Sequence, residues 1–325
     1  MAFHKYTGTY KSSNGMNRIQ YYIYEPESEV RGIIQISHGM CEYIEMYEEL
    51  IHYLCNYGFL VCGNDHLGHG DSVASSQEYG YFSKKDGWIF LVKDVKKLNS
   101  FIRKEYPSVP CFLLGHSMGS FIARMYTSFY GDTIDGAIYL GTSGTVHGTA
   151  GAMALLKVYR LFRGEFYRSK WMNWMAFGSY NRHYRDEKDN FSWLCHDEEF
   201  RKNYVTEEKN SFIFTLNGFL DLGALVYYIS QKSWYQRIPK QLPYLLMGGT
   251  EDPVGQYGRG VKEVYKKMVK AGCTNVTMQL YEGDRHVLVR EDDKEKVMEN
   301  LLLWLQKQDV WDDTPISVTS REVRA

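Results

Sequence analysis

Apolar and polar positions along the chain alternate in a way that divides it into strand-like and helix-like segments in a regular order. Residues 3–10, 18–24 and 32–37 read as three early strands, the first two separated by the turn signal Asn14-Gly15. Between Tyr47 and Asn56, the residues Leu50, Ile51, Leu54 and Cys55 recur at the period of a helix with one buried face. The apolar run 58–63 follows as a strand. Residues 86–104 then repeat the helical period with Trp88, Leu91, Val92, Val95, Leu98 and Ile102. Pro107 and Pro110 break the chain ahead of a buried-type strand, Cys111 to Leu114. Repeated β-α-β units imply a parallel sheet with right-handed crossovers.

After the strand Gly136 to Leu140 this rhythm stops, and it resumes only at Leu242 to Met247, although a crossover between parallel strands needs little more than a dozen residues. The intervening residues 146–235 hold 20 of the 50 aromatic residues, enough bulk for a helical layer of its own. We therefore expect a core over residues 1–145 and 236–325 and a helical cap over 146–235. The pattern closes with the strand Val276 to Tyr281 and the helix Lys294 to Trp304, and a polar tail from Gln306 onward is expected to be loose.

Composition narrows the function classes. The 325 residues carry a formal charge of -1, which gives no long-range field toward nucleic acid and excludes it as the expected partner. No run of 18 apolar residues is present, so no stable membrane insertion is expected, and no secretory leader is readable at the amino terminus. Six cysteines, Cys41, Cys55, Cys62, Cys111, Cys195 and Cys273, are scattered without metal-ligand spacing and read as reduced core thiols of a cytoplasmic protein. The stretch Met153 to Arg163 mixes an apolar face with Lys157, Arg160 and Arg163. It reads as a cap helix resting on the core, with peripheral membrane contact as the alternative. The sequence specifies no oligomeric state.

The chemistry concentrates in Gly115-His116-Ser117-Met118-Gly119, which follows an apolar strand and precedes the helix-forming run Ser120 to Tyr130. A turn this sharp strains its central residue and lifts the Ser117 hydroxyl above the sheet, while the helix amino end aims N–H groups at the same point. A serine hydroxyl needs an imidazole to take its proton and an acid to orient that imidazole. Both are expected downstream, on loops after later strands. His286 is the only histidine after His196, and Asp252 lies in the loop after Leu242–Met247, with Glu251 as a competing acid. His38 and Gly39 follow the third strand, where the backbone of Met40 is assigned as a second oxyanion donor and its side chain as pocket wall. His66 and His69 read as structural, because no further ligand completes a metal site, and His116 reads as packing of the turn. No metal and no cofactor is called for.

Four segments resemble the monoacylglycerol lipase and lysophospholipase branch of the α/β-hydrolases, also described as serine aminopeptidase S33 or Hydrolase-4 like. They are residues 38–43, residues 64–72, the turn around Ser117, and residues 281–288. The cap is similar as well, over 191–204 and 212–222, so the match spans nearly the whole chain. The resemblance implies the α/β-hydrolase fold: a mostly parallel central sheet flanked by helices, with the cap inserted after the sixth strand. It also implies Ser117 as nucleophile, His286 as base, Asp252 as its orienter, and the N–H groups of Met40 and Met118 as the oxyanion hole. The expected activity is hydrolysis of a small-molecule or lipid carboxylic ester through an acyl-enzyme, as in esterases, monoacylglycerol lipases and lysophospholipases. Peptidase, thioesterase and acyltransferase chemistry runs on the same three residues, and a non-catalytic binding protein of this fold is the alternative from another class. For substrate contacts the resemblance points to three positions: Glu42 matches the family's glycerol-holding glutamate, whereas Met46 and Val289 stand where an arginine and a histidine are expected.

Overall fold

The computed structural model describes residues 3–184, 187 and 189–308. Its strands are β1 (Phe3–Lys11), β2 (Arg18–Pro26), β3 (Gly32–Ser37), β4 (Phe59–Asn64), β5 (Cys111–His116), β6 (Gly136–Leu140), β7 (Tyr244–Gly249) and β8 (Val276–Tyr281). They form one sheet in the order β1-β2-β4-β3-β5-β6-β7-β8. β1 and β2 are antiparallel to their neighbours, and β3 through β8 pair in parallel. In β3 to β7 every residue is buried, as a sheet covered on both faces requires, so these strands read as continuous apolar runs. The buried polar side chain at the middle of β3, Gln35, donates to the carbonyl of Val95 at 2.9 Å.

Helices α1 (Glu48–Asn56), α2 (Gly87–Glu105) and α3 (Met118–Tyr130) lie before β6. Five more fall between β6 and β7: α4 (Thr149–Arg163), α5 (Lys170–Phe177), α6 (Glu198–Thr206), α7 (Leu216–Ser230) and α8 (Lys232–Arg237). Helices α9 (Arg259–Lys270) and α10 (Lys294–Gln306) complete the chain that is described. No helix among the described residues is long and apolar enough to cross a membrane. All six cysteines are buried thiols. The tail expected from Gln306 onward lies outside the described residues beyond Gln308.

Three boundaries differ from the sequence expectation in ways that bear on the site. The seventh strand begins at Tyr244 rather than Leu242, because Pro243 has no N–H for the ladder, although its carbonyl still accepts from Ala137 at 2.9 Å. It also runs on through Gly248 and Gly249, which look like a loop in sequence. A side chain at Gly249 would collide with the carbonyl of Asp284, so the missing Cβ lets the strand pass beneath the following loop. Likewise α3 starts at Met118, immediately after the turn, rather than at Ser120.

The insertion between β6 and β7 is fastened at defined points. Asp221 of α7 accepts from the backbone N–H of Trp88 at 3.1 Å, at the start of α2. Burial raises the Asp221 pKa, against the pull of that N–H, to about 7. The sign follows: the folded form retains a proton that the unfolded chain releases near pH 4, so stability falls as pH rises from about 4 through 7. Asp221→Asn removes the titration. Its stability relative to the parent is expected to improve by roughly 2–3 kcal/mol between pH 5 and pH 8, several degrees in melting temperature. Thermal unfolding at the two pH values checks this, and a difference that does not change with pH would contradict it.

Candidate active site

The apolar strand β5 ends at Ser117, whose backbone is held at φ 53° and ψ -122° before α3 begins. Such a conformation is costly for a residue with a side chain, and it persists because the surroundings leave no alternative. The Ser117 N–H is bonded to the carbonyl of Leu140 in β6 at 2.9 Å, which ties the turn to the next strand. A side chain at Gly119 would collide with the carbonyl of Ser37, so the helix approaches β3 only because that position is glycine. The hydroxyl is thereby left partly exposed above the sheet, at the carboxyl ends of the parallel strands.

His286 and Asp252, 34 residues apart in sequence, meet at that point. His286 Nε2 lies 2.8 Å from Ser117 Oγ, and His286 Nδ1 lies 3.0 Å from Asp252 Oδ1. The Asp252 side chain is fully buried and Oδ1 also accepts from the Val254 N–H at 2.8 Å. Glu251, the competing acid, faces solvent: its N–H is bonded to the carbonyl of Asp284 and its carbonyl accepts from the Tyr184 hydroxyl, so its carboxylate does not reach the imidazole. Gly141, at φ 58°, brings the backbone after β6 against the other side of the imidazole.

The two backbone N–H groups expected to serve this constellation come from different elements. The Met118 N–H opens α3, and the Met40 N–H follows β3; among the described residues neither donates to a protein acceptor. In the trans peptide joining Gly39 to Met40 the carbonyl and the N–H point in opposite directions. His38 Nδ1 lies 2.8 Å from the Gly39 carbonyl, so fixing that oxygen fixes the direction of the Met40 donor. His38 packs with His66 and His69 in a buried cluster, with ring centroids 4.2 and 5.3 Å away. Burial lowers all three imidazole pKa values, to about 3 for His66 and about 4 for His69, so these rings are neutral supports.

Glu42 sits beneath the same loop. Its carboxylate is buried and accepts from the Gly39 N–H at 2.6 Å and the Tyr47 hydroxyl at 2.5 Å, and lies 3.0 Å from His116 Nδ1. Burial alone would raise its pKa, but the charge of His116 and these bonds outweigh that and hold it at about 2. His116 Nε2 lies 3.3 Å from the carbonyl of His286. Both ring nitrogens therefore face acceptors, and Glu42 raises the His116 pKa against the effect of burial. His116 is thus more than packing of the turn. Sequence reading missed the pair because its members are 74 residues apart and neither carries a local signal.

Met46 is half-buried, and its sulfur accepts from Asn210 Nδ2 at 3.0 Å. It lines a cavity of about 190 Å³ with Tyr43, Phe200, Tyr204 and Arg290. Val289 is buried in the turn that follows His286. A larger cavity of about 570 Å³, bounded by His183, Glu251, Tyr257 and Arg285, lies on the outer side of the acid loop and does not reach Ser117. The insertion supplies an aromatic wall that the sequence did not single out: the Trp193 ring lies 5.3 Å from His286, and Tyr180 meets Trp193 edge-on at 5.1 Å. Backbone bonds set that wall in place. Val287 N–H donates to Leu194 O at 2.7 Å, and Arg285 Nη1 donates to Ser192 O at 2.6 Å.

Comparison with known proteins places these features in context. The family model described as serine aminopeptidase, S33 matches residues 28–293. A monoglyceride lipase from Mus musculus is 38% identical over 100 residues, 31% of each chain, and a monoglyceride lipase homolog from monkeypox virus is 38% identical over 106 residues, 36% of its length. The aligned segments thus span about a third of those curated relatives. Among solved structures, a thermostable carboxyl esterase from Bacillus coagulans in complex with glycerol superposes with a TM-score of 0.87. It is 28% identical, covering 94% of this chain and 99% of that one. A monoglyceride lipase from Saccharomyces cerevisiae, 17% identical with a TM-score of 0.72 over 95% of this chain and 97% of its own, shares the α/β-hydrolase fold.

Proposed function

Since the chain belongs to the serine aminopeptidase, S33 family of α/β-hydrolases, we propose that it is a serine hydrolase that cleaves carboxylic esters by acyl transfer through Ser117. The observation that carries this reading is the continuous relay from Asp252 Oδ1 to His286 Nδ1 and from His286 Nε2 to Ser117 Oγ, with spacings of 3.0 and 2.8 Å. Nucleophile and base within hydrogen-bond reach, with the base oriented by a buried acid, is the arrangement that serine activation needs.

In the proposed sequence Ser117 Oγ attacks the ester carbonyl while His286 Nε2 takes its proton. The negative oxygen rests on the Met40 and Met118 N–H groups, which have no protein acceptor among the described residues and lose nothing by turning to the substrate. His286 then protonates the departing alcohol, leaving an acyl ester on Ser117. Water, deprotonated by the same imidazole, releases the acid. Asp252 stabilises the imidazolium at each transfer. Residues 146–235 act as a cap whose Trp193 and Tyr180 wall off the imidazole from bulk water. The lipases and the esterase among the relatives and structural neighbours support esters of small alcohols, glyceryl esters included, as the substrate class.

A fluorophosphonate probe tests the assignment. The folded protein is expected to gain the mass of one probe less hydrogen fluoride, and peptide mapping is expected to place the adduct on Ser117, with no adduct on heat-unfolded protein. Absence of an adduct on the folded protein would favour a binding protein of this fold instead.

A further inference from the structure

The Glu42–His116 pair joins two parts of the site that the chain supplies separately. On one side the Glu42 carboxylate holds the Gly39 N–H, immediately before the Met40 donor, at 2.6 Å. On the other, His116 reaches the carbonyl of His286 at 3.3 Å, and the two imidazole rings lie 4.9 Å apart. Tyr47 closes the group from a third element through its bond to Glu42 Oε2. Glu42, Tyr47 and His116 are each at most 5% exposed, so water does not screen or replace these bonds.

We infer that Glu42 and His116 are a positioning pair that locks the oxyanion loop to the catalytic-histidine loop, and that Glu42 acts through this lock rather than as a contact for the alcohol portion of the substrate. The inference rests on the ester-hydrolase reading above. Three observations carry it. The Glu42 carboxylate already serves three donors, and none of them is solvent-facing. Both His116 nitrogens face acceptors, so the doubly protonated ring satisfies each of them, and the opposite charge on Glu42 compensates that buried cation. Finally, the two groups that the pair holds, the Gly39 backbone and the His286 backbone, carry the oxyanion donor and the base. A shift of either by about 1 Å is enough to cost roughly 10²-fold in rate.

Steady-state kinetics of the full chain separate the two roles of Glu42. Glu42→Gln keeps the shape but loses the charge that holds His116. It is expected to lower kcat by roughly 10–100-fold with KM changed less than about twofold, and by the same factor for 4-nitrophenyl butyrate as for glyceryl monobutyrate. Combining it with His116→Asn is expected to cost little more than either change alone, because the two act as one unit. Tyr47→Phe, a milder change that removes one bond to the carboxylate, is expected to show the same kcat-only signature at about 3–10-fold, and it keeps the test sound if Glu42→Gln fails to fold. A loss confined to the glyceryl ester, a KM effect with kcat intact, or parental kcat in folded Glu42→Gln overturns the pair's role while leaving the hydrolase reading in place. A parent protein that neither turns over esters nor takes up the fluorophosphonate overturns both.

Discussion

Ser117→Ala is expected to lower turnover of 4-nitrophenyl butyrate by roughly 10⁶-fold while leaving the melting temperature within a few degrees of the parent. The rate argument starts from the relay. Without Oγ there is no atom 2.8 Å from His286 Nε2 to attack the carbonyl, and no covalent intermediate forms. The oxyanion donors and the pocket are untouched, so a residual acceleration of roughly 10³-fold over water should survive. The fold argument is separate. The strained backbone at φ 53° is held by the Ser117 N–H bond to Leu140 and by the close approach of Gly119 to β3, neither of which uses the hydroxyl. Steady-state rates beside circular dichroism on one preparation check both halves. Retention of more than about one-hundredth of parental activity would remove Ser117 from the mechanism.

Asp252→Asn is expected to cost roughly 10⁴-fold in kcat. Oδ1 lies 3.0 Å from His286 Nδ1, and accepting a hydrogen bond from Nδ1–H there leaves Nε2 free to receive a proton from Ser117. An amide in this place carries no charge to stabilise the imidazolium, and with its NH₂ turned inward it would force the opposite tautomer. The loss should be smaller than for Ser117, because base and nucleophile are still in place. Glu251→Gln serves as the internal control: its carboxylate faces solvent, and a change under about twofold is expected. Comparable losses from both substitutions would mean that the acid loop contributes through its backbone rather than through Asp252.

How much of this was legible in the sequence depended on whether the signal was local. The turn around Ser117 was legible because an apolar strand, two glycines and a helix-forming run sit side by side, and each is a local preference. The sheet was legible for the same reason, since β3 to β7 are buried on both faces and therefore mostly apolar. The acid was named as Asp252 through its loop and the family resemblance, with Glu251 left as a competitor, because which carboxylate turns inward is decided by the Val254 N–H and the position of His286. Glycines at 248 and 249 read as loop, whereas their bareness is what allows the strand to continue under Asp284. The Glu42–His116 contact was invisible: its geometry is created by the convergence of β3 and β5, and neither residue type announces a buried partner.

The backbone bond from Val287 to Leu194 ties the insertion to the loop that carries His286. Val287 is the residue after His286, so the strip of chain bearing Trp193 is tethered one residue from the His286 imidazole. A movement that lifted this strip to admit substrate would drag on the imidazole and spoil its 2.8 Å approach to the hydroxyl. The other arm of the insertion, α4 and α5, has its apolar side chains Leu161, Phe162 and Trp174 80%, 82% and 67% exposed.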